Sequence, residues 1–233
     1  MRKIFLVASF LLCPFLLFSQ TEKREQVLLS TSKGEIVVEL FNETPQHRDN
    51  FLRLVREGLY DGVLFHRVIN NFMVQAGDLS SRHAAPGQSL GEAPEKYQIP
   101  AEIVFPKFHH RRGMLAAARE GDVVNPERAS SMSQFYIVWG RTFSDAQLDQ
   151  QQLRIDQQTG GKAKLSPEMR EIYKTIGGTP HLDGQYTVYG EVVKGLDIVN
   201  LIQLAATDEN DRPIEDIRVV SARILSLKEH VSR

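Results

Sequence analysis

The chain has 233 residues, 42% hydrophobic and 24% charged, enough for one sizeable domain with a real core or at most two small ones. Net charge is −1 with no block of one sign, which argues against nucleic acid as a partner, because neutralising phosphates takes clustered Lys and Arg. Residues 1–20 differ in character: Arg2-Lys3 precede an apolar run from Ile4 to Phe18, and Ser19-Gln20 then turns polar. This is the pattern of a secretory signal peptide, and the run is short for a membrane-spanning helix, which needs about 20 residues. A retained anchor is the alternative. Cys13 invites a lipoprotein reading, but Leu12 stands where a small residue is expected before a lipidated cysteine. Cleavage between Phe18 and Thr21 removes Arg2 and Lys3, takes the net charge from −1 to −3, and leaves no cysteine. The expectation is an exported, periplasmic protein without stable membrane insertion once the leader is removed, its core sufficing without disulfides.

After a polar segment, Val27 to Ser30 and Gly34 to Phe41 read as two strands joined by Ser32-Lys33-Gly34. In the second, Ile36, Val38 and Leu40 alternate with Glu35, Val37 and Glu39, so one face is buried and the other mostly wet. Thr44 is placed to cap a helix with Pro45 at its first position, Phe51, Leu52, Leu54 and Val55 as its apolar stripe, and Gly58 as its stop. Two extended runs follow, Val63 to Ile69 and Phe72 to Gly77, with Asn70-Asn71 as a two-residue turn between them. Paired across that turn, Arg67 and Gln75 share a patch with Phe72 and Met73, a greasy pocket with a guanidinium on its rim.

Residues 79–112 carry few signals beyond the loop markers Ala85-Pro86-Gly87 and Ala93-Pro94 and a short strand within Ile99 to Phe105. Gly113 to Ala118 reads as a strand of small residues that leaves room for a ligand backbone, and Ser133 to Val138 as another strand. Between Thr142 and Ile176, an apolar series of Leu148, Leu153 and Ile155, a Gly160-Gly161 break and the opening Ser166-Pro167-Glu168 predict two short helices joined by a glycine turn. Gly195 to Leu204 reads as a helix with Leu196, Ile198, Val199 and Ile202 inward, and Ile217 to Leu227 as a closing strand. There is no internal repeat. Adjacent His109-His110 lack a third ligand at zinc spacing, His66 reads as a buried hydrogen-bonder, and neither a phosphate loop nor a Ser–His–Asp arrangement is present.

The run Phe65-His66-Arg67-Val68-Ile69-Asn70-Asn71-Phe72-Met73-Val74-Gln75-Ala76-Gly77-Asp78 resembles the signature of cyclophilin-type peptidyl-prolyl isomerases, F-H-R-x-I-x-x-F-M-x-Q-x-G-D, at every position. Gly113 to Ala118 is similar to the family's G-x-L-x-M-A, Ser133 to Ile137 to S-Q-F-F-I, and His181 to Val192 to W-L-D-G-x-H-x-V-F-G-x-V. The similarity spans Val27 to Leu227 apart from 79–112 and 142–176, and Thr44 to Asp78 resembles the short-loop bacterial form.

The resemblance implies a mainly β fold over residues 26–230: a closed, eight-stranded antiparallel barrel capped by two helices, with a helical insertion at about 142–176. That insertion is either an accessory substrate-contacting element or a hairpin packed on the barrel surface. The implied activity is cis–trans isomerisation of X-Pro bonds in unfolded or flexible polypeptides of the cell envelope, by a monomer needing no cofactor and no metal. Carried over by position, Arg67 is catalytic. Phe72, Met73, Tyr136 and Leu182 line the proline pocket, Gln75 holds a substrate carbonyl, and the Ala118-Arg119 backbone meets the residue before proline. Tyr186 stands where the family often has His. His181 stands where animal relatives have Trp, which implies weak cyclosporin sensitivity, and Tyr136 replaces the commoner Phe, adding a hydroxyl that wants a partner. The alternative is a non-catalytic chaperone or peptide-binding module on the same fold.

Overall fold

Alternation in the first hairpin sets the frame. In the computed structural model, which describes residues 23–231, β1 (Gln26–Thr31) and β2 (Gly34–Leu40) pair antiparallel, Val27 opposite Val38 and Leu29 opposite Ile36. These four are fully buried on one face, while Leu28 and Val37 on the other cover themselves with Leu225. The expected leader at 1–20 lies outside the described residues.

Helix α1 (Pro45–Arg56) lays Phe51, Leu52, Leu54 and Val55 into the core across one end of the sheet, and Gly58 leaves it at φ 64°. Thr44 is the N-cap residue, but its hydroxyl donates to the Phe41 carbonyl rather than accepting from the helix. The Glu102 carboxylate takes over the cap, accepting from the Gln46 and His47 amides at 3.1 and 3.0 Å. No local pattern reveals a cap brought from fifty residues away.

The next elements are β3 (Arg67–Ile69), β4 (Met73–Ala76), the two-residue β5 (Gln98–Ile99), β6 (Met114–Ala117), the two-residue β7 (Ser130–Ser131) and β8 (Phe135–Val138). The helices α2 (Asp145–Thr159) and α3 (Pro167–Thr175) follow, then β9 (Val188–Lys194), α4 (Leu196–Gln203) and β10 (Val219–Ile224). Eight strands form one antiparallel sheet in the order β10-β1-β2-β9-β6-β8-β4-β3, and β5 pairs only with β7. The strand expected within 99–105 therefore amounts to the single pair at Gln98–Ile99.

The sheet is open, which corrects the closed barrel expected from the sequence. Its edge strands β3 and β10 share no ladder; a single bridge, Leu64 to Arg218, spans the gap. The Gly62 and Phe65 amides donate to Val219 and Ile217 carbonyls at 2.7 and 2.8 Å, so the edge is covered without a continuous strand. The physical reason lies in competing partners: the Leu64 and Arg218 amides donate to the Ser81 and Ser32 hydroxyls at 2.9 and 3.1 Å, and the Val68 amide of β3 donates to the Asp211 carbonyl, outside β10, at 2.8 Å.

Other corrections are local. The β3–β4 loop has three residues, since Ile69 pairs with Met73; the Phe72 amide donates to the Ile69 carbonyl and Asn71 takes φ 56°. In β10 a bulge opposite Ser30–Thr31 breaks the alternation, so Val219 and Ala222 both face inward. In α4, Val199 and Ile202 are buried while Leu196 points outward. Gln203 instead turns in, and its Oε1 accepts from Asn70 Nδ2 and the Asn71 amide, each at 2.9 Å, pinning the β3–β4 turn.

Helices α2 and α3 fold on a small core of their own, with Leu148, Ile155, Met169 and Tyr173 closed by Phe143 and Phe105. A Ser144–Gln147 capping box starts α2, Gly160 at φ 61° ends it, and Ser166 caps α3. Leu153, expected in the apolar stripe, is 64% exposed.

Candidate active site

Strand register builds the site. Arg67 on β3 lies opposite Gln75 on β4, Gln75 opposite Tyr136 on β8, and Tyr136 opposite Ala116 on β6. One line across four strands thus carries a guanidinium, an amide, a phenol and a methyl on the same face. Met73, two residues before Gln75, shares that face and packs with Tyr136, Ala116 and Val138 in a cluster separate from the main core. Gly77, in the same signature, is at φ 96°, and a Cβ there would overlap the Ser133 carbonyl, so only glycine lets β4 approach the start of β8.

The face opens into a cavity of about 410 Å³. Of the residues named from the sequence, Arg67, Phe72, Met73, Gln75, Ala118, Arg119, Tyr136, Leu182 and Tyr186 all line it. His181 does not. Its ring stacks on the outer side of Phe72, with centroids 5.5 Å apart at 24°. A segment unplaced by sequence, Ser89 to Glu92, supplies the opposite wall. It is held where the Gly91 amide donates to Asp78 at 2.6 Å and Gln134 Nε2 donates to the Gly91 carbonyl at 2.9 Å. Burial opposes ionisation of Asp78, but the hydrogen bonds from Ser80 and Gly91 outweigh it and hold the carboxyl below its usual range.

Arg67 is half-exposed at the cavity mouth, and its Nε stands 3.4 Å from the Asp211 carboxylate, itself 41% exposed. Such a solvated pair aims the side chain and adds little stability. No hydrogen bond occupies the terminal amino groups of Arg67 among the described residues. Gln75 Nε2 donates to Gln134 at 3.0 Å, which leaves one of its two protons free. Both backbone groups of Ala118 are engaged, the amide with Gln134 and the carbonyl with Ser131. Of the Ala118-Arg119 pair, only the Arg119 amide and carbonyl are unengaged among the described residues. The Arg119 side chain is buried, donates to the Gln185 carbonyl at 3.1 Å and lies over the Tyr186 ring at 4.2 Å, so it fixes that wall.

Sequence reasoning missed what stands behind Tyr136. Its hydroxyl lies 3.0 Å from His110 Nε2, and His110 Nδ1 lies 2.9 Å from Asp183 Oδ1, which also accepts the His110 amide at 2.7 Å. Tyr173 of α3 donates to the other Asp183 oxygen at 2.6 Å. All four side chains are buried. A carboxylate only accepts, so Nδ1 carries the imidazole proton and Nε2 accepts from Tyr136. Burial pushes the Tyr136 phenol well above its ordinary value, with Tyr186 next, and burial followed by the Asp183 charge does the same to Tyr173; both remain donors at neutral pH. A histidine beside a tyrosine-bearing strand is a weak local signal, and the carboxylate lies 73 residues from His110 in sequence.

His66 is buried, with the Leu64 backbone and the Gln134 side chain as its polar neighbours, and neither ring nitrogen meets a partner at full hydrogen-bond geometry among the described residues. Burial lowers His66, His47 and His109 below the ordinary 6.5, and it lowers His181 to about 4, with His110 and Arg154 adding to the effect. Each of these imidazoles binds a proton more readily when unfolded. Their contribution to stability is complete above pH 6.5 and is lost as pH falls below it. The urea midpoint is therefore expected to fall steadily from pH 7 to pH 5, with the His181 ring protons titrating near pH 4 by NMR. A flat urea midpoint over that interval contradicts the assignment. Among the described residues no three His, Cys, Asp or Glu side chains lie together to hold a metal, and no helix is long and apolar enough to cross a membrane.

Comparison with known proteins gives this arrangement a family. Residues 26–224 match the model of the cyclophilin type peptidyl-prolyl cis-trans isomerase/CLD family. The peptidyl-prolyl cis-trans isomerase ppi1 of Schizosaccharomyces pombe is 32% identical over 197 residues, covering 84% of this chain and 96% of that protein. The isomerase CYP18-1 of Arabidopsis thaliana is 29% identical, covering 83% and 91%. A cyclophilin type isomerase of Cryptosporidium parvum superposes with a TM-score of 0.60 at 23% identity, over 87% of this chain and 98% of that one, which shows a shared fold. The chain belongs to the cyclophilin-type peptidyl-prolyl cis-trans isomerases.

Proposed function

We propose that X-Pro bonds rotate in the cavity beneath Arg67, with Arg67 as the catalytic group. Rotation about an amide faces about 18–20 kcal/mol because the twisted state loses resonance, while the two X-Pro isomers differ by only about 0.5–1 kcal/mol. The problem is kinetic, and no nucleophile or proton relay is required. A catalyst must hold the ring, hold a flanking carbonyl, and favour the twisted amide over both planar ones. The floor formed by Met73, Tyr136, Leu182 and Phe72 suits a proline ring. Gln75 has a free amide proton for a carbonyl, and the Arg119 backbone groups suit the residue before proline. The prolyl nitrogen regains its lone pair only in the twisted state, so a guanidinium aimed at it binds the transition state selectively.

The observation that carries this reading is the line Arg67–Gln75–Tyr136 over an apolar floor, fixed by strand register. It is tested with a protease-coupled Ala-Pro peptide assay on the protein lacking its leader. Acceleration above the uncatalysed rate is expected, and its absence overturns the reading. A Cryptosporidium parvum neighbour was crystallised in the presence of the dipeptide Ala-Pro, which makes that sequence a sensible first probe.

The same reading extends to place and partners. The charged, apolar and polar zones of residues 1–20 support export to the periplasm, where a monomer would act on proline-containing unfolded or flexible polypeptides. Cell fractionation with N-terminal sequencing of the product tests it; a cytoplasmic protein beginning at Met1 overturns it. Segment 142–176 is an insertion on the family fold, supported by its separate core. A second reading, a peptide-holding module of little catalytic power, draws on the wall that α2 and His181 add beside Phe72. Binding of unfolded clients without rate acceleration would favour it.

A further inference from the structure

Behind the Phe72 wall lies a second cavity of about 130 Å³, between the β3–β4 turn and α2. Arg141, Gln151, Arg154, Thr179 and His181 line it with Phe72. Its charge is uncompensated. Elsewhere on the helix pair three cations are matched, Arg170 by Asp145 and Asp149, Lys174 by Asp145 and Glu171, and Lys164 by Asp156. Arg141 and Arg154 have no carboxylate partner among the described residues. The Arg141 guanidinium rests on the Phe143 ring at 4.9 Å, and the Arg154 charge is felt at His181. Two further lining side chains are unsatisfied. Gln151 and Thr179 are 7% and 2% exposed, yet Gln151 Oε1 and Thr179 Oγ1 have no hydrogen-bond partner among the described residues. Buried polar atoms without partners are uncommon, and here two border a pocket holding two unpaired cations.

Strand register gives the direction in which a substrate would reach it. Ala117 lies opposite Phe135 and Phe135 opposite Ala76, so Ala118-Arg119 stand at the Ala76 end of β4. Phe72 and the second cavity stand at the other end. A polypeptide whose pre-proline residue meets the Arg119 backbone leaves the proline cavity over Phe72. Phe72 lines both cavities and the His181 ring lies 5.5 Å beyond its centroid, a span of about two extended residues at about 3.3 Å each. The second or third residue after proline therefore meets the cavity that His181 and Arg154 line.

We propose that this cavity is a subsite for an acidic side chain, aspartate or glutamate, at the second or third position after the proline of the bound polypeptide. The subsite rests on the reading of the main cavity as the isomerase site. It selects by a carboxylate-guanidinium contact contributed by α2, outside the apolar floor.

The test uses Ala-Pro peptides with amidated C-termini that carry Glu, Gln or Lys at those two positions, so the side chain is their only anion. Isomerisation is measured by NMR exchange, which needs no protease. The expected order of kcat/KM is Glu, then Gln, then Lys, with Glu over Gln by about fivefold, a solvated ion pair's contribution. The preference should shrink toward unity in about 0.5 M salt and in the double variant R141A/R154A. Arg154→Glu, its fold checked by a thermal melt, should move the preference toward Lys. Equal rates for all three peptides overturn the subsite while leaving the isomerase reading standing. If no peptide is accelerated, the isomerase reading fails by itself. Binding of the same peptides by fluorescence anisotropy then decides the subsite, which equal affinities for Glu and Gln would overturn.

Discussion

Replacing Arg67 with alanine is expected to lower kcat/KM for an Ala-Pro peptide on the order of a hundredfold or more, about 2.7 kcal/mol of transition-state stabilisation. The size follows from when the interaction is made. In either planar isomer the prolyl nitrogen has no lone pair to offer, and the guanidinium gains little from it. In the twisted amide the lone pair returns above a floor that Met73, Phe72 and Tyr136 make apolar, so the hydrogen bond is stronger than it would be in solution. Loss of that bond should appear in kcat and kcat/KM together, with KM for the peptide little changed, because the apolar floor that holds the ring remains. Arg67→Lys should recover only a small part, since a single ammonium on a flexible stem does not reproduce a planar fork held by Asp211 at Nε with its amino groups forward. Stability provides the control. Arg67 is 44% exposed with one solvated ion pair, so the alanine variant should melt within a degree or two of the parent. An Arg67→Ala protein that retains a third of the activity removes Arg67 from the chemistry.

How far the chain could be read without its structure depends on how local each cause is. The Val27, Leu29, Ile36 and Val38 alternation, the Pro45 start and Gly58 stop of α1, and the Ser166-Pro167 opening of α3 are written in neighbouring residues, and each element forms there. The cavity residues were legible for a different reason. Arg67, Phe72, Met73 and Gln75 stand within nine residues on one hairpin, so one register brings them together. What stayed hidden is non-local. The Glu102 cap on α1, the Ser89–Glu92 wall and the Asp183 carboxylate behind His110 depend on where distant loops return. The open edge was hidden because Val63 to His66 has the apolar content of a strand while burying every side chain, which periodicity alone cannot separate from a paired strand. His181 stands outside the proline cavity, its ring stacked on Phe72, because the fold brings it beside α2 rather than beside Tyr136.

Removing the Asp183 carboxylate should be the most damaging single change outside the hydrophobic core. Asp183 is fully buried and accepts three hydrogen bonds, from the His110 amide, the His110 ring and the Tyr173 hydroxyl. Asp183→Ala leaves all three donors without partners in a space too enclosed for each to find water. Each buried donor left unsatisfied costs about 1–3 kcal/mol, so the three together cost several kcal/mol, which for a domain of this size is roughly 10 °C of melting temperature. The damage should also reach the cavity. Without Asp183 nothing fixes the proton on His110 Nδ1, so Nε2 no longer serves as a dedicated acceptor for Tyr136, and the pocket floor loses its orientation. The smaller changes should grade accordingly. Tyr173→Phe withdraws one donor and leaves one carboxylate oxygen short, at a cost of about 1 kcal/mol. Tyr136→Phe withdraws the last donor of the chain and leaves His110 Nε2 unpartnered, costing about 1–2 kcal/mol while keeping an apolar ring under the proline. Because Tyr173 belongs to α3, its effect on peptide turnover also reads how far the helix pair supports the site. A melting temperature for Asp183→Ala within 2 °C of the parent would mean that the four side chains are merely adjacent. Graded losses in the order Asp183, Tyr136, Tyr173 would mean that they hold the floor of the pocket as one unit.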